Sequence, residues 1–140
     1  MTSGLKTRDN HLSNYSGIFA LRNSKNWVDY IFSLGTEEKP GEIYNYSNGG
    51  SHILAAILAE ITGVSVEKYA ERHLFSYIGI KNYKWQKDPR GINHGYSNLE
   101  LSARDMAKIG LLYLNKGKWD KKQIISSSWI KKSLKTHSYP

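Results

Sequence analysis

The chain has 140 residues, of which 39% are apolar and 23% charged, and this composition is that of a globular domain and excludes a disordered chain. It contains no cysteine, which excludes disulfides and thiolate metal sites. Residues 1–70 carry six Lys or Arg against seven Asp or Glu, whereas residues 71–140 carry fourteen against five. The lysines of the basic half are scattered among apolar residues, which favours a solvated surface, so we expect no nucleic-acid partner.

No apolar run approaches the roughly 18–20 residues of a membrane span, and the N-terminal residues lack the apolar centre of a signal peptide. We therefore expect neither a membrane span nor an export signal in this chain, which leaves its localisation open.

The first half of the chain predicts loops and two helices. Residues 1–23 are polar and predict a loop. The stretch SKNWVDYIFSLG predicts a helix that Ser24 caps and Gly35 ends. A loop broken at Pro40-Gly41 leads to SHILAAILAEITG, the clearest helix, which has a wide apolar face.

The start of that helix bears on the preceding YNYSN sequence. Ser51 is its predicted N-cap and Gly63 its predicted end, so Gly49-Gly50 is interpreted as a bend just before the helix. A further helix, SVEKYAERHLF, follows with Ser65 as its predicted cap.

The second half predicts a loop over residues 76–100, with a short strand around YKWQ, and then two more helices. In SARDMAKIGLLYLNKG, Ser102 and Asp105 have the spacing of a capping box. The stretch GKWDKKQII predicts a hairpin that turns at Asp120-Lys121, and SSSWIKKSLK predicts a short final helix. The predicted fold class is therefore mainly α, with one small β-hairpin.

Several kinds of site are not indicated. The histidines do not have metal-binding spacing, and each is interpreted as a surface or packing residue: His11, His52, His73, His94 and His137. SNGGSH lacks the lysine and the preceding strand of a phosphate loop, and no Gly-x-Ser-x-Gly nucleophile elbow occurs. We therefore expect no metal and no cofactor.

The tripeptide Tyr46-Ser47-Asn48 contains side chains that could take part in catalysis. In an extended turn, residues two apart present their side chains on the same side, which brings a phenol beside a carboxamide. A phenol next to an ammonium can carry a proton, and an amide can donate to a substrate carbonyl. Tyr-x-Asn also occurs at residues 96–98 and 113–115, so the tripeptide alone does not identify a site.

The surroundings of the tripeptide resemble the serine β-lactamase and penicillin-binding-protein family, and more narrowly its esterase-like β-lactamase-related serine hydrolases. In PGEIYNYSNGGSHILAAILAEITGVSVEKYAERHLFSYIGI, a Pro-Gly turn precedes Tyr-Ser-Asn, one helix ends in Thr-Gly, a second ends in Leu-Phe, and a Gly-Ile segment follows. LSARDMAKIGLLYLNKGKWDKKQIISSSWIKKS is similar to the family's Arg-Asp-Met-Ala-Lys helix, Gly-x-Trp hairpin and Trp-containing helix. MTSGL also resembles a family segment, so these landmarks recur in order from Met1 to about Ser133.

The resemblance implies the helical portion of the β-lactamase/transpeptidase-like fold and a serine hydrolase that acts through an acyl-enzyme on a β-lactam, D-amino peptide, amide or ester. In such enzymes a Ser-x-x-Lys helix supplies the nucleophile and its base. Tyr-x-Asn is the second element and a Lys/His-x-Gly strand the third. By this resemblance Tyr46 is the proton relay, Asn48 contacts the lysine and the substrate, and Ser47 has no chemical role.

The other two elements are not found where the family has them. Ser-x-x-Lys occurs at Ser3–Lys6, Ser65–Lys68 and Ser128–Lys131, a frequency close to chance, and none of the three has the family's position. We therefore expect residues 1–140 to be a single, partial domain that is inactive alone and takes a small-molecule or peptide substrate only when it is completed.

Two further expectations concern partners. A partial domain leaves an apolar face exposed through which it can self-associate. The alternative function is a non-catalytic binding module whose basic C-terminal half holds an anionic partner.

Overall fold

The computed structural model describes residues 1–6 and 16–137. Its helical elements are α1 (Ser16–Asn23), α2 (Trp27–Ser33), α3 (Asn48–Thr62), α4 (Val66–Ala70), a π-helical turn (Glu71–Phe75), α5 (Ser76–Ile78), α6 (Ala103–Leu114) and α7 (Ser127–Ser133). Its strands form two antiparallel pairs, β1 (Lys84–Trp85) with β2 (Leu99–Glu100) and β3 (Lys118–Trp119) with β4 (Lys122–Gln123). The predicted mainly α class is confirmed, with two small hairpins where the sequence predicted one.

The predicted loop over residues 1–23 is wrong for its last part, which forms α1. Leu21 of this helix is buried and packs against α2. A helix this short depends on such packing more than on its own propensity, which is why the sequence pattern missed it. Residues 1–6 are non-helical, as predicted, and residues 7–15, which include His11, fall outside the described residues.

Helix α2 begins two residues later than predicted. Its N-cap is Asn26, whose side-chain oxygen accepts a hydrogen bond from the Asp29 N–H at 3.3 Å, rather than Ser24. Both residue types cap helices well, so the sequence offered no reason to prefer the second. Gly35 has a φ of 74° just beyond the helix, in keeping with its predicted role as a stop.

Helix α3 begins earlier than predicted, and this changes the surroundings of the YNYSN sequence. Its N-cap is Ser47, whose Oγ accepts from the Gly50 N–H at 2.8 Å, so the predicted cap Ser51 lies within the helix. At the other end Gly63 adopts the left-handed conformation with a φ of 66° and ends the helix as predicted.

Residues 66–78 are helical throughout but include the π-helical turn. Such a turn contains one residue more than an α-helical turn, so the side chains beyond it are rotated about the axis. Phe75 and Ile78 are buried, whereas His73 is exposed. The turn therefore directs the end of the segment into the core.

The Ser102 cap of the predicted capping box is confirmed for α6, and the Asp105 side chain bonds to the Ser102 hydroxyl. Ser102 Oγ accepts from the Asp105 N–H at 3.1 Å and donates to the Asp105 carboxylate at 2.7 Å. The ammonium of Lys108, 2.7 Å from the same carboxylate, and the Ser102 hydroxyl lower the pKa of Asp105. Ser102, Asp105 and Lys108 thus hold the first turn of the helix together.

The predicted hairpin turn at Asp120-Lys121 is also confirmed. Asp120 and Lys121 have φ values of 44° and 65° between β3 and β4, as a type I′ turn requires of both central residues. The short final helix is present as α7, which Ser126 caps.

The described chain divides into two compact units, each with its own core. The first comprises residues 1–66 and 86–98, and its core centres on Leu21, Trp27 and Ile31. The second comprises residues 67–85 and 99–137, and its core centres on Phe75, Ile78, Ile80 and Leu112. That residues 1–140 form one partial domain stays a prediction.

No single helix among the described residues is long and apolar enough to cross a membrane. The segments Asn48–Thr62 and Val66–Ile78 reach the required length and composition only when they are counted together across their break.

Candidate active site

The Tyr46 hydroxyl donates a hydrogen bond to Asn48 Oδ1 at 3.0 Å. Tyr46 is 48% exposed, whereas Asn48, the first residue of α3, is only 8% exposed. Ser47 between them is extended, with φ of −145° and ψ of 109°, and extended backbone places residues two apart on the same side. The two side chains that the sequence analysis singled out are therefore brought together.

The predicted bend at Gly49-Gly50 is wrong, because these residues form the first turn of α3. A Cβ atom at Gly49 would lie 3.0 Å from Ile31 Cγ1, so the absence of a side chain allows α2 and α3 to pack closely. A Cβ atom at Gly50 would lie 3.2 Å from Ser47 Oγ. The glycines are thus explained by close packing around the helix start.

The N-terminal residues run beside the approach to α3. The Asn45 N–H donates to the Met1 carbonyl at 2.8 Å, and the Ser47 N–H donates to the Met1 thioether sulfur at 3.1 Å. The Gly41 N–H donates to the Thr2 carbonyl at 2.7 Å. These bonds fix the backbone on both sides of Tyr46.

One turn further along α3, the His52 side chain is fully buried. Its Nε2 lies 3.2 Å from Asp88 Oδ2, a distance at which the imidazole N–H donates to the carboxylate. Burial lowers the pKa of His52, and the neighbouring Asp88 only partly opposes this. His52 is therefore a neutral, buried donor at neutral pH.

Aromatic rings surround this imidazole. The Trp27 ring centroid is 5.0 Å from that of His52 and 4.5 Å from that of His94, and the His94 ring stacks on Tyr96 at 5.6 Å. The pKa of His94 is also lowered, first by burial and further by nearby positive charge such as that of Arg22. The sequence predicted that each of His52 and His94 is either a surface residue or a packing residue. Both are buried, so they are packing residues.

The pairing of His52 with Asp88 was not predicted from the sequence. The two residues are 36 positions apart, and each is unremarkable in its own stretch. No local signal in a single sequence could have joined them.

The structure shows the surroundings of each of the three Ser-x-x-Lys sequences. The first is not helical, because Gly4 has a φ of 71° and Ser3 Oγ accepts from the Leu5 N–H. Ser65 immediately precedes α4, and the Lys68 ammonium pairs with Glu71 at 2.8 Å. Ser128 and Lys131 lie on α7 in the second unit.

The two other Tyr-x-Asn sequences differ from Tyr46-Ser47-Asn48. Asn98 has a φ of 61°, and its side-chain nitrogen contacts the Gln86 side-chain oxygen and His94 Nδ1. Asn115 is the C-cap of α6, which contains Tyr113. Within residues 1–6 and 16–137, no three His, Asp or Glu side chains come together as a metal site would require.

Comparison with known proteins places the chain in a family. A family model described as "Beta-lactamase" matches residues 1–137. Among solved structures, "Putative 6-aminohexanoate-dimer hydrolase from Bacillus anthracis" is similar with a TM-score of 0.74 and 27% identity, and the match covers 94% of this chain and 37% of that one. The octameric penicillin-binding protein homologue from Pyrococcus abyssi has a TM-score of 0.61 and 19% identity over 86% of this chain and 34% of its own, and this second likeness shows the fold alone.

The chain thus spans about a third of the length of these two structures. The match over nearly all of the chain, together with the fold it shares with these proteins, confirms the predicted resemblance. The chain belongs to the β-lactamase family.

Proposed function

We propose that the chain supplies the Tyr-x-Asn element of a serine hydrolase that acts through an acyl-enzyme. The observation that carries this proposal is the hydrogen bond from the hydroxyl of Tyr46, a half-exposed residue, to Oδ1 of the buried residue Asn48 at the start of α3. Membership of the β-lactamase family supports it, because the family implies these roles for the two residues.

The geometry suits the two roles that the family implies. Since the Tyr46 side chain is half-exposed, its hydroxyl can exchange a proton with a nucleophile and with a leaving group. Asn48 is held by the helix, and the bond to Tyr46 makes Oδ1 the acceptor end of its amide. The Nδ2 group is then the end that donates to a substrate carbonyl.

The nucleophile and its base are expected from a Ser-x-x-Lys helix, and none of the three such sequences in the chain fits that role. We therefore propose that residues 1–140 alone do not form an acyl-enzyme. Treatment with a fluorophosphonate probe should leave the chain unlabelled, and labelling at a single serine with turnover of an ester or β-lactam would overturn this proposal.

The role of Tyr46 is best tested in the product of the full coding sequence. If Tyr46 is the proton relay, Tyr46→Phe should lower kcat/KM by roughly 10²–10⁴-fold, the range that general acid–base groups contribute. Tyr113→Phe is the matched control, because it removes the hydroxyl of another Tyr-x-Asn sequence and should leave kcat/KM unchanged. Equal activity of wild type and Tyr46→Phe would refute the assignment.

The substrate is proposed as a class: a small β-lactam, D-amino peptide, amide or ester. The similar Bacillus anthracis structure is titled a hydrolase of a 6-aminohexanoate dimer, so a linear amide belongs in the assay beside nitrocefin, a D-Ala-D-Ala peptide and a p-nitrophenyl ester. The substrate whose hydrolysis depends on Tyr46 is then the relevant one.

A binding module for an anionic partner is a second candidate function. Residues 106–137 contain a single acidic residue, Asp120, against eight lysines: Lys108, Lys116, Lys118, Lys121, Lys122, Lys131, Lys132 and Lys135. Binding to heparin or single-stranded DNA that weakens steeply between about 50 and 200 mM salt would support it. It should be lost in Lys131→Glu/Lys132→Glu and kept in the control Lys25→Glu/Lys39→Glu, and absence of binding at low salt would exclude it.

Self-association also stays a prediction. Helix α3 presents large apolar side chains to solvent, with Leu54 67% and Ile61 78% exposed. Size-exclusion chromatography at several concentrations checks it, and a monomer throughout would contradict it.

A further inference from the structure

We propose that His52 and Asp88 form a positioning pair, which holds the first turn of α3 so that Asn48 faces Tyr46. This inference rests on the proposed function of Tyr46 and Asn48. Both residues are buried and would act through Asn48, so they are proposed as positioning residues rather than catalytic ones.

The first step is the location of His52. It follows Asn48 by four residues on α3, and residues four apart lie on the same face of a helix, one above the other. His52 is completely buried, and Asn48 is nearly so. A displacement of His52 would therefore move the turn that carries Asn48.

The second step is the attachment of Asp88. Its Oδ2 accepts from His52, while its Oδ1 accepts from the backbone N–H groups of Arg90 at 2.9 Å and Ile92 at 2.8 Å. The Asp88 N–H in turn donates to the Ile92 carbonyl at 2.8 Å. One carboxylate thus closes the turn at residues 88–92 and ties it to α3.

The third step is the close approach of the same loop at a second point. A Cβ atom at Gly95 would overlap the Ser51 carbonyl oxygen and lie 2.7 Å from His52 Cα. The same turn of α3 also packs closely against α2, because a Cβ atom at Gly49 would lie 3.0 Å from Ile31 Cγ1. The start of α3 is therefore closely packed against both α2 and the loop that carries Gly95, and the His52–Asp88 bond adds a polar, directional contact to this packing.

The His52–Asp88 hydrogen bond fixes the orientation of the His52 ring, which apolar packing alone would not do. Removal of an imidazole and a carboxylate from water is costly, and apolar side chains of similar volume often stabilise a core as well or better. A donor–acceptor pair permits only one ring orientation, and the carboxylate selects the tautomer with the proton on Nε2. The expected effect of losing the pair is thus on the placement of Asn48 and on the rate.

The first test uses ¹⁵N NMR of the chain itself. We expect the Nε2–H tautomer for His52 in wild type, and a shift or broadening of the Asn48 side-chain amide signals in His52→Phe. His52→Gln, whose amide can still donate to Asp88, should keep the wild-type signals. An Nδ1–H tautomer in wild type, or unchanged Asn48 signals in His52→Phe, would overturn the proposal.

The second test measures kcat and KM in the product of the full coding sequence. His52→Phe should lower kcat about tenfold or more with little change in KM, because Asn48 is misplaced by a fraction of an ångström. His52→Gln should restore most of kcat. An unchanged kcat in a folded His52→Phe variant would reduce the pair to a packing role.

Asp88→Asn covers the case in which His52→Phe does not fold. The amide keeps an acceptor for the 88–92 turn but presents an N–H to His52, so the imidazole should switch to the Nδ1–H tautomer and kcat should fall. Unchanged tautomer and kcat would contradict the proposal. Tyr46→Phe distinguishes failure of the proposed function from failure of the positioning role. If Tyr46→Phe retains full activity, the proposed function is wrong. If Tyr46→Phe loses activity while the His52 and Asp88 variants keep it, only the positioning role is wrong.

Discussion

Gly95 lies directly against Ser51, so that a Cβ atom at Gly95 would overlap the Ser51 carbonyl oxygen. The atoms it would meet belong to the backbone of α3, which cannot move aside as a flexible side chain can. Gly95→Ala should therefore lower the free energy of unfolding by about 1–3 kcal/mol, the usual cost of overpacking. Chemical denaturation measures this change.

Gly110→Ala is the control for that variant. Gly110 lies within α6, and a Cβ atom there would meet nothing within 4 Å. Since alanine is the better helix former, this variant should raise the free energy of unfolding by about 0.5–1 kcal/mol. Equal effects of the two substitutions would contradict the close contact at Gly95.

The stability of the chain should fall as the pH is lowered below 6.5, the ordinary pKa of histidine. Burial lowers the pKa of His52 and His94 in the folded protein, so below pH 6.5 the unfolded chain binds protons that the folded chain does not. The unfolded state is then favoured as the pH falls. Urea unfolding between about pH 7.5 and pH 5.5 tests the sign, and a His52→Gln variant should show a shallower dependence. A free energy of unfolding that rises towards pH 5.5 would show that the sign is wrong.

Ser47, which has no chemical role in the family pattern, should matter for stability. Its Oγ caps α3 through the Gly50 N–H, so Ser47→Ala should cost about 1 kcal/mol. Ser47→Thr keeps the hydroxyl and should retain most of the stability. If alanine and threonine had the same effect in thermal unfolding, capping would not be the role of Ser47.

Substitutions in the turn between β3 and β4 should stabilise the chain. Both Asp120 and Lys121 have positive φ, a conformation that costs lysine more than glycine. The double substitution Asp120→Asn/Lys121→Gly should raise the free energy of unfolding by about 0.5–1 kcal/mol, because Asn-Gly is the preferred type I′ pair. Lys121→Val is the opposing control, and a stable valine variant would argue against positive φ at this position.

The features that the sequence predicted correctly have local causes. Ser102 and Asp105 are three residues apart, Asp120 and Lys121 are adjacent, and Gly63 ends its helix through its own backbone conformation. In each case the interacting residues are only a few positions apart, so the pattern can be recognised in the sequence alone.

The features that it missed depend on contacts between distant segments. Helix α1 is held by the packing of Leu21, and the start of α3 is fixed by Met1, Asp88 and Gly95. The family pattern located Tyr46 and Asn48, but the support behind them comes from residues up to 46 positions away in sequence. Such contacts cannot be recognised from the periodicity or composition of the sequence.

The π-helical turn at Glu71–Phe75 has a consequence for aligning related chains. Because this turn holds one residue more than an α-helical turn, a relative with a regular helix can bury the equivalents of Phe75 and Ile78 with one residue fewer before them. We expect sequence alignments of the family to show single-residue gaps within this helix. Such a gap would mark the loss or gain of a wide helical turn, while the core on either side keeps its register.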